Sequence, residues 1–361
     1  MSQISFDNIA ITAMATTVGN NIINLENEKE RFGFDDESFA RLQRSIGLKT
    51  RYIVDEGVCT SDLCIQSAED IFENSRAKKE EIEALLFVTQ SPDYKAPSTA
   101  IIMQNRLGLP NSCAAFDINL GCSGFIYGLF TAFSYVNSGM KKVLLCVGDV
   151  NSYFSGHNDK IFTPLMGDAG AAIIIEKKEA PRSFFSLYSD GSGYKHLIIP
   201  SGAARTPTTA ESLVPQLRED GGIRRDEDLF MDGKEVLNFA IKTVPPLIKE
   251  VVEFAEKENS EIDYFVLHQA NPYILKTIAS RLKVEKEKVP LETGQIYGNQ
   301  NAASIPGTIN GFLSEEFSSK KLTIAIAGFG IGLSWGGAVL QTDHIYAPAT
   351  LIYKGIKNES C

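Results

Sequence analysis

Apolar residues in this chain fall in continuous runs rather than alternating with polar ones. The runs lie at 84–88, 143–147, 171–175, 264–267, 322–327 and 338–340. A strand that is apolar on both faces must be covered on both, the habit of sheets packed between helices. Between the runs, apolar residues recur at helical spacing. Residues 61–74 read as a helix capped by Thr60 or, better, by Ser61, with Asp62 in the first turn. Residues 234–257 read as another, with Val236, Phe239, Ala240, Val244, Leu247 and Val251 on one face. Pro245 and Pro246 are expected to kink or restart it. The stretch 191–226 breaks the rhythm, being rich in Gly, Ser, Thr, Arg and Pro. It is read as a long, mobile loop region with a functional role.

The pattern also repeats. Leu86-Phe87-Val88-Thr89-Gln90 resembles Tyr264-Phe265-Val266-Leu267-His268. Each is followed by a helical stretch with a matching phrase, Asn105-Arg106-Leu107 in one case and Ser280-Arg281-Leu282 in the other. Phe87 stands 35 positions before Cys122, and Phe265 stands 34 before Asn299. Residues 167–172 likewise match 333–338. The chain is therefore read as two duplicated halves, 1–178 and 179–361. Such a duplication would bring Cys122, His268 and Asn299 toward one cleft.

Composition narrows the classes. Hydrophobic residues make up 43% and charged residues 22% of 361, an ordinary globular balance. The net charge of −10 and the lack of a basic run exclude a nucleic-acid binder. No apolar run is long enough to span a bilayer, and 322–332 is short and Gly-rich. No basic segment followed by an apolar one opens the chain, so no signal peptide is read. A cytoplasmic location with reduced cysteines is expected. The six cysteines, at 59, 64, 113, 122, 146 and 361, contain no CxxC pair. Neither a disulfide framework nor a metal site is expected.

Four motifs carry candidate chemistry. Cys122 lies in Gly121-Cys122-Ser123-Gly124-Phe125, ahead of a stretch that is apolar nearly all round. A thiol at the start of a buried helix feels the positive end of its dipole, which favours a nucleophilic thiolate. A small core cysteine is the other reading, and the local context does not decide. His268 ends an apolar strand, where open α/β sheets place their sites, although a structural His fits there too. Asn299 and Asn301 sit among small residues in Tyr297-Gly298-Asn299-Gln300-Asn301, either as fixed donors or as a polar turn. Gly328-Phe329-Gly330-Ile331-Gly332 hints at a phosphate loop, but the following residues read as a strand. A tight turn presenting backbone N–H groups fits better.

In order and spacing together, these motifs resemble β-ketoacyl-acyl-carrier-protein synthase III, a condensing-enzyme family of the thiolase superfamily, over residues 4–342. The resemblance implies an α/β thiolase-like fold in which the two halves stack as αβαβα layers. It implies that Cys122 is the acylated nucleophile. His268 and Asn299 would hold the malonyl thioester and its enolate, and the backbone N–H groups of Cys122 and Gly332 would form the oxyanion hole. The implied reaction is a decarboxylative Claisen condensation giving a 3-oxoacyl product. The substrates would be coenzyme A and acyl-carrier-protein thioesters, with no tightly bound cofactor. A homodimer is implied as well. Ala96, Arg41, Asn271 and Phe329 are the expected substrate-binding positions.

The chain also departs from the pattern. Arg41 and Ser45 stand where a Trp and an Arg usually clamp coenzyme A. Ala96, not Phe, precedes Pro97, and Gly-Asn-Gln-Asn replaces Gly-Asn-Thr-Ser. The tail from about 343 to 361 runs past the usual end. A specialised paralogue is expected, with acetyl-CoA a poorer primer than medium or longer acyl groups. The alternative is an acyltransferase of the same fold, moving the acyl group from Cys122 to an oxygen or nitrogen acceptor.

Overall fold

The computed structural model describes residues 3–355, so Cys361 and the end of the expected tail lie outside the described residues. Eleven strands build two main sheets: β1 (Gln3–Phe6), β2 (Ile9–Val18), β3 (Ala84–Val88), β4 (Ala114–Ile118), β5 (Lys142–Asp149), β6 (Ala169–Lys177), β7 (Ser183–Ser189), β8 (Tyr264–Leu267), β9 (Lys321–Gly330), β10 (Ser334–Asp343) and β11 (Leu351–Ile352). One sheet has the order β11-β2-β6-β5-β3-β4, the other β1-β7-β10-β9-β8. The duplication appears as one repeated pairing scheme. In β2-β6-β5-β3 the contacts run antiparallel, antiparallel, parallel. In β7-β10-β9-β8 they run the same way.

Two helices lie between the sheets, α2 (Gly124–Asn137) and α5 (Ser304–Phe312). Phe125, Ile126, Leu129 and Phe133 of α2 join one core with Leu145 of the first sheet and Ile324 and Leu340 of the second. A helix with sheets on both sides has no face left for water, which accounts for its apolar circumference. Helix α1 (Thr60–Asn74) covers the outside of the six-stranded sheet. Helices α3 (Gly233–Phe254) and α4 (Pro272–Leu282) cover the outside of the five-stranded sheet. The result is the expected αβαβα stack.

Three local expectations change. Helix α1 is capped one residue before Thr60, at Cys59, whose N–H donates to Asp62 at 2.8 Å. Ser61 lies inside the first turn and gives its hydroxyl to Asp93 instead. Helix α3 runs unbroken through Pro245 and Pro246. Pro245 has no N–H for the Ile241 carbonyl, and Arg281 Nη1 from α4 donates to that carbonyl at 2.9 Å. Exposed Lys242 can give its own orphaned carbonyl to water. The 191–226 stretch is also less irregular than expected. It holds a 3₁₀ turn (Gly191–His196), a short strand (Leu197–Ile198) paired with Phe230–Met231, and a small ladder of Gln216–Leu217 on Ile223–Arg224.

The chain ends trade sheets. β1 pairs with β7 in the second half's sheet, and β11 pairs with β2 in the first half's. The described part of the tail is thereby built into the fold.

Candidate active site

Cys122 sits in the turn between β4 and α2, and the β9–β10 hairpin is pressed against it. A Cβ on Gly330 would stand 2.6 Å from Cys122 Cβ and 2.7 Å from its Sγ. One on Gly328 would stand 2.9 Å from the Cys122 carbonyl oxygen. Only bare backbone fits here. Ser123 Oγ and Ser334 Oγ, 2.7 Å apart, tie the turn to the hairpin.

The thiol does not rest as the thiolate expected from the helix dipole. Burial pushes it up to about 12; an N–H from Ile331 pulls the other way, and nearby Asp149 adds to the rise. Cys122 precedes the first residue of α2 by two positions, so the dipole acts on it from outside the helix. The hairpin N–H that reaches the sulfur belongs to Ile331. Gly332, whose N–H the resemblance implies as an oxyanion donor, lies one residue further on and lines the adjoining cavity.

His268 follows β8 and is 1% exposed. Burial lowers its pKa to about 4, against the Asn301 backbone, so the ring is neutral near pH 7. Its Nδ1 lies 2.7 Å from Ser304 Oγ, which also takes the Gln269 N–H at 3.4 Å. This network assigns the hydroxyl proton to Nδ1 and the ring proton to Nε2. The Phe329 ring stands edge-on to the imidazole, with centroids 5.5 Å apart.

Asn299 is held from several sides. Its N–H donates to the Leu165 carbonyl at 2.8 Å, and its carbonyl accepts from Gly167 N–H at 3.1 Å and Asn151 Nδ2 at 3.2 Å. Its side-chain Oδ1 accepts the Asn301 N–H at 2.9 Å. The Nδ2 group is left to donate elsewhere.

Cys122, His268, Asn299, Asn271 and Phe329 all line one cavity of about 410 Å³ with mostly apolar walls. Asn271 also caps α4, accepting the Ile274 N–H at 2.9 Å. Ala96 and Arg41 are not in this group. Ala96 is on an exposed loop, and Arg41, exposed on the helix Asp36–Ile46, pairs with Glu37 at 3.1 Å. The Ser45 side chain lies outside the described residues. Ser304, Ile331 and Gly330 were not singled out in the sequence; the only trace of them is membership of the third and fourth motifs. Among the described residues, no group of three or more His, Cys, Asp or Glu side chains could hold a metal ion, and no helix is long and apolar enough to cross a membrane.

The site carries two neutral side-chain donors and a backbone-cradled thiol in one apolar cavity. That set can bind a thioester, accept its acyl group and stabilise an enolate. Comparison with known proteins agrees. Residues 116–191 match the family model 3-oxoacyl-[acyl-carrier-protein (ACP)] synthase III, and 252–342 match its C-terminal counterpart. A β-ketoacyl-[acyl-carrier-protein] synthase III of Caldanaerobacter subterraneus subsp. tengcongensis is 34% identical, covering 82% of this chain and 87% of that one. One from Syntrophomonas wolfei subsp. wolfei is 34% identical over 87% and 92%. The crystal structure of a 3-oxoacyl-(acyl-carrier protein) synthase from Burkholderia xenovorans LB400 superposes with a TM-score of 0.90 at 33% identity, covering 97% of this chain and 98% of that one. On this fold, this site and these relatives, the chain belongs to the 3-oxoacyl-[acyl-carrier-protein] synthase III family.

Proposed function

We propose that the chain catalyses a two-step condensation at Cys122. In the first step the Cys122 sulfur attacks the carbonyl of an acyl thioester. The carrier sulfur leaves with the thiol proton, and the acyl group stays on Cys122. The oxyanion of this step, and of the next, is placed between the N–H groups of Cys122 and Ile331. Because burial favours the protonated thiol, the sulfur gives up its proton as attack proceeds rather than beforehand.

In the second step a malonyl thioester binds with its carbonyl oxygen facing His268 Nε2–H and Asn299 Nδ2. Loss of carbon dioxide leaves an enolate, and both donors strengthen as charge grows on its oxygen. Neither donor is acidic enough to quench the carbanion, since the ring is neutral and the amide does not ionise. The enolate carbon attacks the acyl-Cys122 carbonyl. The tetrahedral intermediate then expels the Cys122 sulfur, which takes up a proton, and a 3-oxoacyl thioester departs.

The observation that carries this reading is the convergence of Cys122, His268 and Asn299 on one cavity, with His268 held neutral by burial and oriented by Ser304. Transfer to an oxygen or nitrogen acceptor gives the His268–Asn299 pair no enolate to stabilise and is not favoured. Intact-protein mass spectrometry after exposure to acyl thioesters, followed by malonyl carrier protein and measurement of released carbon dioxide, tests both steps. Acylation without carbon dioxide release or a 3-oxoacyl product would leave only the acyltransferase.

The same reading extends to the assembly. The edge strand β4 ends the six-stranded sheet with half-exposed side chains, among them Phe116 and Ile118. An open apolar edge of this kind supports a homodimer formed through it. The expected division near residue 178, a cytoplasmic location, and acyl-CoA and acyl carrier protein as substrates without a bound cofactor belong to the same proposal.

A further inference from the structure

Beside the Cys122 cavity lies a second one of about 330 Å³. The two share Gln90, Asn151, Leu197, Leu229, Asn301 and Ile331 in their linings. The second cavity has aliphatic and aromatic walls but also four amide side chains, those of Gln90, Asn119, Asn151 and Asn301. No charged side chain lines it. A pocket meant for a plain hydrocarbon chain has no use for four amides.

The amides are not consumed by the fold. Asn151, 3% exposed, gives Nδ2 to the carbonyls of Gly167 at 2.8 Å and Asn299 at 3.2 Å, which leaves Oδ1 as an acceptor. The Oδ1 of Asn301 is buried and has no hydrogen-bond partner. It lies 3.1 Å from where a Cβ on Gly121 would stand, beside the nucleophile. Asn301 has φ 50°, a left-handed conformation that Asn tolerates, and it stands where the resemblance usually has Ser. Gln90 sits on a loop fixed from below, its N–H donating to Asp149 at 2.6 Å. Its own Oε1 lies 2.3 Å from the same Gly121 Cβ position. The amide oxygens of Asn301 and Gln90 are thus packed beside Gly121, next to Cys122, in side chains that line the cavity, and that of Asn301 is buried without a partner. A bound group that donates a hydrogen bond satisfies the Asn301 oxygen; an alkyl group leaves it buried and unpaired.

We infer that the acyl group loaded on Cys122 is a hydroxyacyl group, its hydroxyl within a few bonds of the thioester and donating its one proton to Asn301 Oδ1, with Asn151 and Gln90 alongside. The absence of charge in the lining selects a neutral ligand. A hydroxyl, being donor and acceptor at once, also has lone pairs to accept from the Gln90 NH2 group. The inference rests on acylation of Cys122 as proposed above.

The test is a competition. Wild-type protein is offered equal amounts of butanoyl and 3-hydroxybutanoyl thioesters, each enantiomer separately, on coenzyme A and on acyl carrier protein. Intact mass distinguishes the two adducts by one oxygen, and peptide mapping places them at Cys122. One hydroxyacyl enantiomer is expected to load about tenfold faster or more, as a buried hydrogen bond implies. That preference should fall to near one in Asn301→Gly, which keeps the backbone conformation accessible, and in Gln90→Leu. Butanoyl loading at an equal or greater rate in the wild type overturns the inference and leaves the acyl-enzyme reading intact. A preference that both variants keep overturns the assignment to these amides. Failure of every donor to label Cys122 overturns the acyl-enzyme reading and this inference with it.

Discussion

Gly330→Ala isolates the contact that shapes the nucleophile's surroundings. Gly330 does not have a positive φ, so alanine meets no backbone penalty there, and any effect comes from the added methyl. That methyl would sit 2.6 Å from Cys122 Cβ and 2.7 Å from Sγ. Carbon atoms prefer about 3.5–4.0 Å, so roughly 1 Å of displacement is required. Strand β9 is paired on both sides, by β8 and β10, and cannot move far. The shift therefore falls on Cys122 and the turn before α2. Misplacing a reacting group by about 1 Å costs on the order of a hundredfold in rate. Overpacking a close-fitted site costs about 1–3 kcal/mol, which for a chain of 361 residues is a fall in melting temperature of roughly 1–4 °C. The expected outcome is a folded protein that acylates about a hundredfold more slowly. Acylation is followed by intact mass against time, and folding by thermal denaturation. Gly191→Ala, where no heavy atom lies within 4 Å of the added carbon, is the control and should match the wild type. Wild-type acylation by Gly330→Ala would show that the strand does not hold the sulfur in place, and the reasoning would fail.

His268→Ala and Asn299→Ala should still acylate Cys122 but lose condensation by on the order of a hundredfold; single-turnover assays of each half-reaction check this, and near-normal condensation by both variants would refute the donor roles. Ser304→Ala removes the hydroxyl at His268 Nδ1, so condensation should fall about tenfold with acylation little changed, and equal losses in both steps would argue against an orienting role. Burial raises Asp149 to about 7, offset in part by hydrogen bonds from Gln90 N–H and Thr89. Between about pH 4 and 7 the folded protein thus binds a proton that the unfolded chain does not, and this contribution to stability is lost as pH rises through 7. Asp149→Asn should remove that part of the slope in denaturant unfolding measured from pH 4 to 8; an unchanged slope would mean the carboxyl is already ionised. Sedimentation at micromolar concentration should give a dimer, and replacing Phe116 on the β4 edge with Asp should shift it toward monomer.

What the sequence revealed follows from where the information is stored. The runs at 84–88 and 264–267 are strands at those bounds, because burial on both faces leaves no polar position to blur the ends. Cys122 and Asn299 stood at matching places in the duplicated spacing and His268 at a strand end, and all three line one cavity. The fine geometry was not legible. That the Ile331 N–H meets the sulfur depends on how a hairpin closes, which a glycine-rich string does not show. Continuity of α3 through two prolines depended on Arg281, remote in sequence, satisfying a carbonyl. Burial raises the Cys122 thiol, and burial depends on packing from distant parts of the chain that a local helix-start pattern does not show.

The exchange of chain ends between the sheets bears on how the protein is made. Residues 3–6 emerge from the ribosome early, yet their partner strand, β7, is not synthesised until 183–189. The first half's sheet, in turn, stays one strand short until Leu351 reaches Thr17. Neither half can finish while the other is missing. Closing pairings of such long sequence separation is slow, so these two pairings form late, after both halves are present. Cutting the gene between the halves should therefore yield fragments that each expose an unpaired sheet edge, and co-expression of the two pieces, not either alone, is the arrangement that restores a soluble protein.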